Sequence, residues 1–246
     1  MQQISDNQYT IFFGDKQHAF DKSLVDTASL TTPTLTDIEP FKTVAITSRA
    51  EFLIFTKQVH GVASLKINQK QTTLPHSFNI TADYIITNQP NIGIGIATAD
   101  CLPIILFDPI KCVSAAIHAG WRGSTKGIAQ MAVNALQHVY GTSPDTIIAF
   151  FGPCIKKCCY SVGQELLINA NNAPFSTISS FQKQTQLLYF DLVEYNMQYL
   201  HQAGILRTAI KLDYNHCTAC NQNFCSYRRD NQSPLRQISS ITIHTT

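Results

Sequence analysis

Eight short runs of apolar and β-branched residues, at 43–47, 52–59, 84–87, 92–98, 103–107, 113–118, 146–151 and 238–244, set the terms on which this chain can fold. The runs are short and their flanks hold Asn, Asp, Gly and Pro, the pattern of strands ending in turns. Two other segments carry the helical period. In 124–140, Ile128, Ala132, Ala135, Leu136 and Val139 share one face, and Gly141 follows as a C-terminal stop. In the second, Asp191 and Glu194 form a capping-box-like pair, Val193, Met197 and Leu200 make the apolar stripe, and Gly204 ends it. A further helix is expected over 162–170. Strands outnumber helices without alternating strictly with them. That predicts a mixed α/β (α+β) fold, with mixed β-sheets and flanking helices, rather than a doubly wound parallel sheet.

No repeat, low-complexity tract or Pro/Ser-rich linker divides residues 1–246, which are expected to form one domain with ample core at 44% hydrophobic residues. Eighteen basic and sixteen acidic residues are scattered without runs, so neither a nucleic-acid nor a membrane surface is expected. Residues 1–7 have neither the basic start nor the apolar stretch of a secretory signal, and no segment approaches a membrane span. The expected setting is cytoplasmic, with the eight cysteines reduced and the chain a monomer acting on small molecules.

Three potential metal ligands, His60, Cys101 and His118, each lie in a short segment rich in Gly, Pro or Asp. Two imidazoles and a thiolate can hold zinc and leave its fourth position open, as catalytic sites do. Cys101 follows the run 92–98 and His118 closes the run 113–118, so both belong at strand ends facing a cleft. The spacing, 118 − 101 = 17, suits a hairpin turning at Asp108-Pro109. Taken singly, each residue has a plainer reading, a hydrogen-bonded surface histidine or a small buried cysteine. Asp100 and Asp83 are the nearest carboxylates able to orient an imidazole or accept a proton, with turn capping as the alternative. The turn 120–126, with Arg122, offers N–H groups and positive charge to an anion, although it lacks the order of a P-loop. Cys217 and Cys220 form a C-x-x-C pair, half a zinc ribbon for which Cys154, Cys158, Cys159 or Cys225 would have to supply partners. Free buried thiols are the competing reading.

Six segments in order, Gln58-Val59-His60-Gly61, Ala82-Asp83, 98–103, 118–123, Gly152-Pro153-Cys154-Ile155 and 224–230, resemble the YfiH family. That family is also called the laccase-domain or polyphenol-oxidase-like family, and some members are named peptidoglycan editing factor. The resemblance implies a single-domain α/β fold like that of a bacterial deamidating toxin, and a zinc site at His60, Cys101 and His118. It further implies phosphorolysis of adenosine, inosine and methylthioadenosine to base and ribose 1-phosphate, and deamination of adenosine. Two stretches depart from it. Residues 14–20 replace an Arg-Gly-Gly-Val-Ser-like segment, and Ser233-Pro234-Leu235-Arg236 replaces Thr-Gly-Arg.

On this reading a zinc centre would serve deamination at C6 of adenine, with Asp100 or Asp83 moving protons. Phosphate would fall to Arg122, the turn 120–126, and Arg228 or Arg229, the last two also fitting a structural ion-pair site. A copper oxidase is a second class, but laccase chemistry needs about ten histidines, many in His-X-His pairs. This chain has eight and no such pair. A third class makes Cys101 a nucleophile activated by His118, as in an amidase or deamidase acting on cell-wall precursors.

Overall fold

The computed structural model describes residues 2–27, 35–68 and 77–245. The first part of the chain forms β1 (Gln2–Ser5), β2 (Tyr9–Phe13), β3 (Ala19–Asp21), α1 (Lys22–Thr27), α2 (Phe41–Ser48), β4 (Phe52–Ile54) and β5 (Ser64–Ile67). The middle contributes β6 (Tyr84–Thr87), β7 (Ile92–Thr98), β8 (Leu102–Asp108), β9 (Val113–Ala119), α3 (Trp121–Thr125), α4 (Ile128–Tyr140) and β10 (Ile148–Phe151). Then come β11 (Ser161–Val162), α5 (Gln164–Ala170), β12 (Phe181–Gln184), β13 (Leu187–Phe190), α6 (Leu192–Gln202), β14 (Ile210–Lys211) and β15 (Leu235–Ile243).

Two six-stranded mixed sheets carry the molecule. One runs β1-β2-β15-β7-β4, with β3 also on β15, and the other runs β14-β10-β8-β9-β6-β5. A small third sheet has the order β11-β13-β12. The alternation of side chains along each strand explains how these pack. Ile92, Ile94 and Ile96 of β7 and Ile11 and Phe13 of β2 face Ile105, Phe107 and Ala116 of the second sheet in one apolar layer. The opposite side chains of the second sheet, Leu102, Ile104, Leu106, Ala115 and Ile117, pack under α4 and α6. The outer face of the first sheet, through Phe12, Leu53, Phe55 and Ile238, packs under α2. The order is therefore helix, sheet, sheet, helices. Both strands of the hairpin are buried on both faces, which is why their sequences are mostly apolar rather than alternating.

The expected strand at 43–47 is instead part of α2. Thr43, Val44, Ile46 and Thr47 favour strands one by one, but Phe41, Val44, Ala45 and Ser48 are buried at helical spacing while Ile46 points to solvent, so tertiary packing overrides propensity. The run 52–59 pairs as a strand only to Ile54. Beyond it, the Gln58 side chain takes over the strand's pairing, its Nε2 donating to Ala97 O at 2.9 Å and its Oε1 accepting from Ala97 N at 2.8 Å. The helix expected over 124–140 is two, because Gly127 takes a left-handed conformation (φ 77°) between α3 and α4. Asp191 does cap α6, accepting from Glu194 N at 3.1 Å.

Candidate metal centre

The β8–β9 hairpin builds the centre. The Asp108 carboxylate closes its turn by accepting from the amides of Ile110 at 2.8 Å and Lys111 at 3.2 Å. The register then sets Pro103 opposite His118 and Leu102 opposite Ala119, which brings Cys101, just ahead of β8, beside His118 near the end of β9. His60 arrives from the loop after Gln58 and has a left-handed backbone (φ 62°), a conformation histidine tolerates better than most residues. Its ring lies 4.8 Å from that of His118, centroid to centroid. The ligand atoms of His60, Cys101 and His118 all fall within 4.8 Å of one another.

Asp83, immediately before β6, locks this geometry. Its Oδ1 accepts from His118 Nδ1 and from the His60 amide, both at 2.9 Å, while Oδ2 accepts from the Gly61 amide at 2.7 Å. With Nδ1 occupied, Nε2 is the His118 atom left for a metal. A carboxylate behind a ligating histidine in this way fixes its tautomer and orientation. Burial alone would push the Cys101 thiol up, but the facing His118 and His60 imidazoles bring it down to about 6. Burial would likewise depress His118, yet Cys101 and Asp83 lift it to about 9. Each group thus favours the charged form of the other, thiolate beside imidazolium.

The donor set fits zinc: two imidazoles and one thiolate, with the fourth position left to the cleft. It does not fit multi-copper oxidase chemistry. Among the described residues this is the one cluster of potential ligands that contains histidine, and its three ligands are too few for a three-copper group.

Gly120 keeps the centre open. A Cβ there would meet Cys101 Sγ and a His60 ring carbon, each at 3.0 Å, although the backbone (φ −73°) would accept any residue. Gly120→Ala is expected to leave the fold intact and to weaken metal binding about tenfold or more, read by competition with a chromogenic chelator.

The centre opens on a cleft of about 440 Å³. Asp100, Arg122, Arg228 and Arg236 line it, together with the rings of Phe20, Phe78, Trp121, Tyr160 and Tyr227. Arg122 lies 4.2 Å over the Trp121 ring, and Arg228 Nη1 donates to Ser161 O and Oγ at 3.1 Å. Asp100 has a left-handed backbone (φ 80°), and its carboxylate accepts from Thr218 Oγ1 at 2.6 Å and from the Arg228 amide at 2.7 Å. It thus ties the Cys101 turn to the 218–228 segment.

Two residues expected to touch substrate do not line the cleft. Asp83 is fully buried behind His118. Arg229 spends its guanidinium on Asp230 and on the carbonyls of Thr218, Asn221 and Phe224, the structural role that its sequence also allowed. Conversely, Phe20, Lys22, Phe78, Tyr160 and Tyr227 line the cleft without having been singled out. Two signals were available: Phe20 lies in the stretch where the sequence departs from the YfiH pattern, and Tyr227 lies in the 224–230 segment that matches it.

The sequence pattern of the family described as multi-copper polyphenol oxidoreductase laccase matches residues 40–244. A purine nucleoside phosphorylase of Clostridium acetobutylicum is 30% identical over 189 residues, 76% of this chain and 75% of that protein. The mouse purine nucleoside phosphorylase LACC1 is 32% identical over 165 residues, and the match spans 65% of this chain but only 38% of that longer protein. Adenosine deaminase RL5, from an unknown prokaryotic organism, is 32% identical over 184 residues, 72% of this chain and 70% of that one. The crystal structure of YfiH from Bacillus licheniformis superposes with a TM-score of 0.76 at 25% identity, covering 95% of this chain and 92% of that one. The chain belongs to the YfiH-type family described as multi-copper polyphenol oxidoreductase laccase, and its mixed α/β fold is that family's fold.

Proposed function

We propose that this protein is a zinc-dependent purine nucleoside enzyme that phosphorolyses adenosine, inosine and methylthioadenosine and also deaminates adenosine. One arrangement carries the reading: a three-ligand cluster opening on a cleft that holds both arginines and aromatic rings. The names of the Clostridium acetobutylicum and RL5 relatives support its two activities. At about 440 Å³ the cleft suits a nucleoside with phosphate.

In phosphorolysis a phosphate oxygen bonds to ribose C1′ as the C1′–N9 bond breaks. The electron pair leaves with the purine, which takes up a proton. Arg122 and Arg228 are the groups that hold the phosphate, since charge-assisted N–H···O bonds from a planar guanidinium suit its oxygens. Arg228 is pre-oriented by its bonds to Ser161. The Phe20, Phe78 and Tyr160 rings offer faces for the purine. A zinc ion held by His60, Cys101 and His118 would supply an electrophile that stabilises negative charge developing on the substrate. Asp83 holds His118 and the His60 loop in place, and Asp100 holds Arg228 against the cleft.

The test is product chromatography on purified, metal-analysed protein with each nucleoside, with and without phosphate. Free base and ribose 1-phosphate are expected only with phosphate, and inosine from adenosine without it. Zinc-loaded protein that leaves all three nucleosides intact would overturn the proposal. Copper at one per chain, with oxygen uptake on a phenol, would replace it by oxidase chemistry.

A further inference from the structure

A second cluster of soft ligands lies outside the cleft. Cys158 and Cys159, in the loop after β10, meet Cys217 and Cys220, in the turn after β14. The sulfurs lie 3.2 Å apart for Cys159–Cys220, 3.6 Å for both Cys158–Cys217 and Cys158–Cys220, and 3.8 Å for Cys158–Cys159. All four fall within 4.8 Å of one another. A disulfide would need about 2.05 Å. A regular tetrahedron with Zn–S bonds of about 2.3 Å has S···S edges of about 3.8 Å, close to what these four residues present.

We propose that Cys158, Cys159, Cys217 and Cys220 bind a zinc ion in a closed, four-thiolate structural site, separate from the centre at His60, Cys101 and His118. One further feature supports it. Cys158 and Cys220 are exposed, which gives a metal an entry path. The other candidate partners of the C-x-x-C pair do not join: Cys154 and Cys225 are buried elsewhere, and Cys154 Sγ accepts from Asn215 Nδ2 at 3.4 Å. With four protein ligands no position remains for substrate, so the site is structural.

Its position gives the metal a task. The two segments already pair through Cys154 and Cys217, with Cys154 N donating to His216 O and Thr218 N to Cys154 O, both at 3.0 Å. Thr218, inside the C-x-x-C turn, holds Asp100, and Tyr160, next to Cys159, lies in the cleft wall with the Arg228 guanidinium 5.5 Å from its ring. Zinc here would tie together two segments of that wall.

The test is metal counting by mass spectrometry on protein expressed with zinc and kept reduced. Wild type is expected to hold two zinc ions per chain. Cys101→Ala and the double variant Cys217→Ser/Cys220→Ser should each retain one, and the combined variant none. Should the double variant not fold, Cys101→Ala alone decides, because its bound zinc would shield those four cysteines from alkylation until a chelator is added. Cobalt exchanged into it would show the intense charge-transfer bands of a tetrathiolate site. A single zinc that survives Cys101→Ala but is lost from the double variant upholds this site while rejecting the histidine-containing one. The proposal is overturned if the wild type's zinc is one and disappears with Cys101→Ala. It is equally overturned if the four cysteines alkylate freely in zinc-loaded protein or form a disulfide under reducing conditions.

Discussion

Replacing Cys101 by alanine is expected to remove the metal from the centre and to lower nucleoside turnover by about a thousandfold or more, while the metal-free protein keeps its fold. The asymmetry follows from where the residue sits. Cys101 precedes β8 at a partly exposed turn, so its side chain contributes little to the core. Its sulfur, however, faces both imidazoles, and without it two histidines remain, too few for a tight zinc site. Elemental analysis, steady-state rates and thermal melting of the one variant read all three quantities. Unchanged turnover in that variant would sink the proposed centre. His60→Ala separates ligand from nucleophile: a metal centre loses activity with His60, whereas a Cys–His hydrolase needs only Cys101 and His118. The Cys101 sulfur, within 4.8 Å of a ring nitrogen of each imidazole, is the observation that favours the hydrolase as the second reading.

Asp83→Asn is expected to cost both function and stability. The carboxylate is fully buried and accepts from the amides of Val59, His60 and Gly61 and from His118 Nδ1, at 3.4, 2.9, 2.7 and 2.9 Å. An amide group turns one acceptor into a donor that faces other donors. Metal affinity should fall about 10–100-fold, and folding stability by about 3 kcal/mol. The pH dependence carries a signature. Burial would raise the Asp83 carboxyl, but the His118 contact and the Gly61 and His60 amides outweigh it and hold the group below 3.8. A depressed carboxyl adds stability that is complete above its unfolded value and is lost as pH falls through the folded one. Urea unfolding of metal-free protein should therefore weaken in acid below about pH 4, more steeply in wild type than in Asp83→Asn. Equal acid limbs in the two proteins would show that Asp83 is not the carboxylate that holds this centre together.

Legibility from sequence followed the range of the forces involved. The strands at 84–87, 92–98 and 113–118 were readable because each is mostly apolar and is flanked by turn residues, both properties of a few consecutive positions. The helix α2 was not, since its β-branched residues speak for a strand and only contact with Phe20, Leu53 and Phe55 rewards the helical spacing. The same limit explains the cleft. His60, Cys101 and His118 stood out by residue type and setting, whereas Phe78 and Tyr160 look like any other aromatics until the chain is folded around them.

From residue types and short motifs came the fold class, the hairpin turning at Asp108-Pro109, the three candidate ligands and the family resemblance. All of these rest on short-range patterns: alternation, turn chemistry and motifs a few residues long. Which carboxylate serves which residue came only from the folded chain, because the partners are distant in sequence. Asp83 reaches across 35 positions to His118, and Asp100 across 118 to Thr218. The same holds for the four cysteines, whose C-x-x-C half was visible while the pair completing it lay some sixty residues away. Only the packing of one segment on another brings the Cys158-Cys159 dipeptide onto the C-x-x-C turn, with all four sulfurs within 4.8 Å of one another.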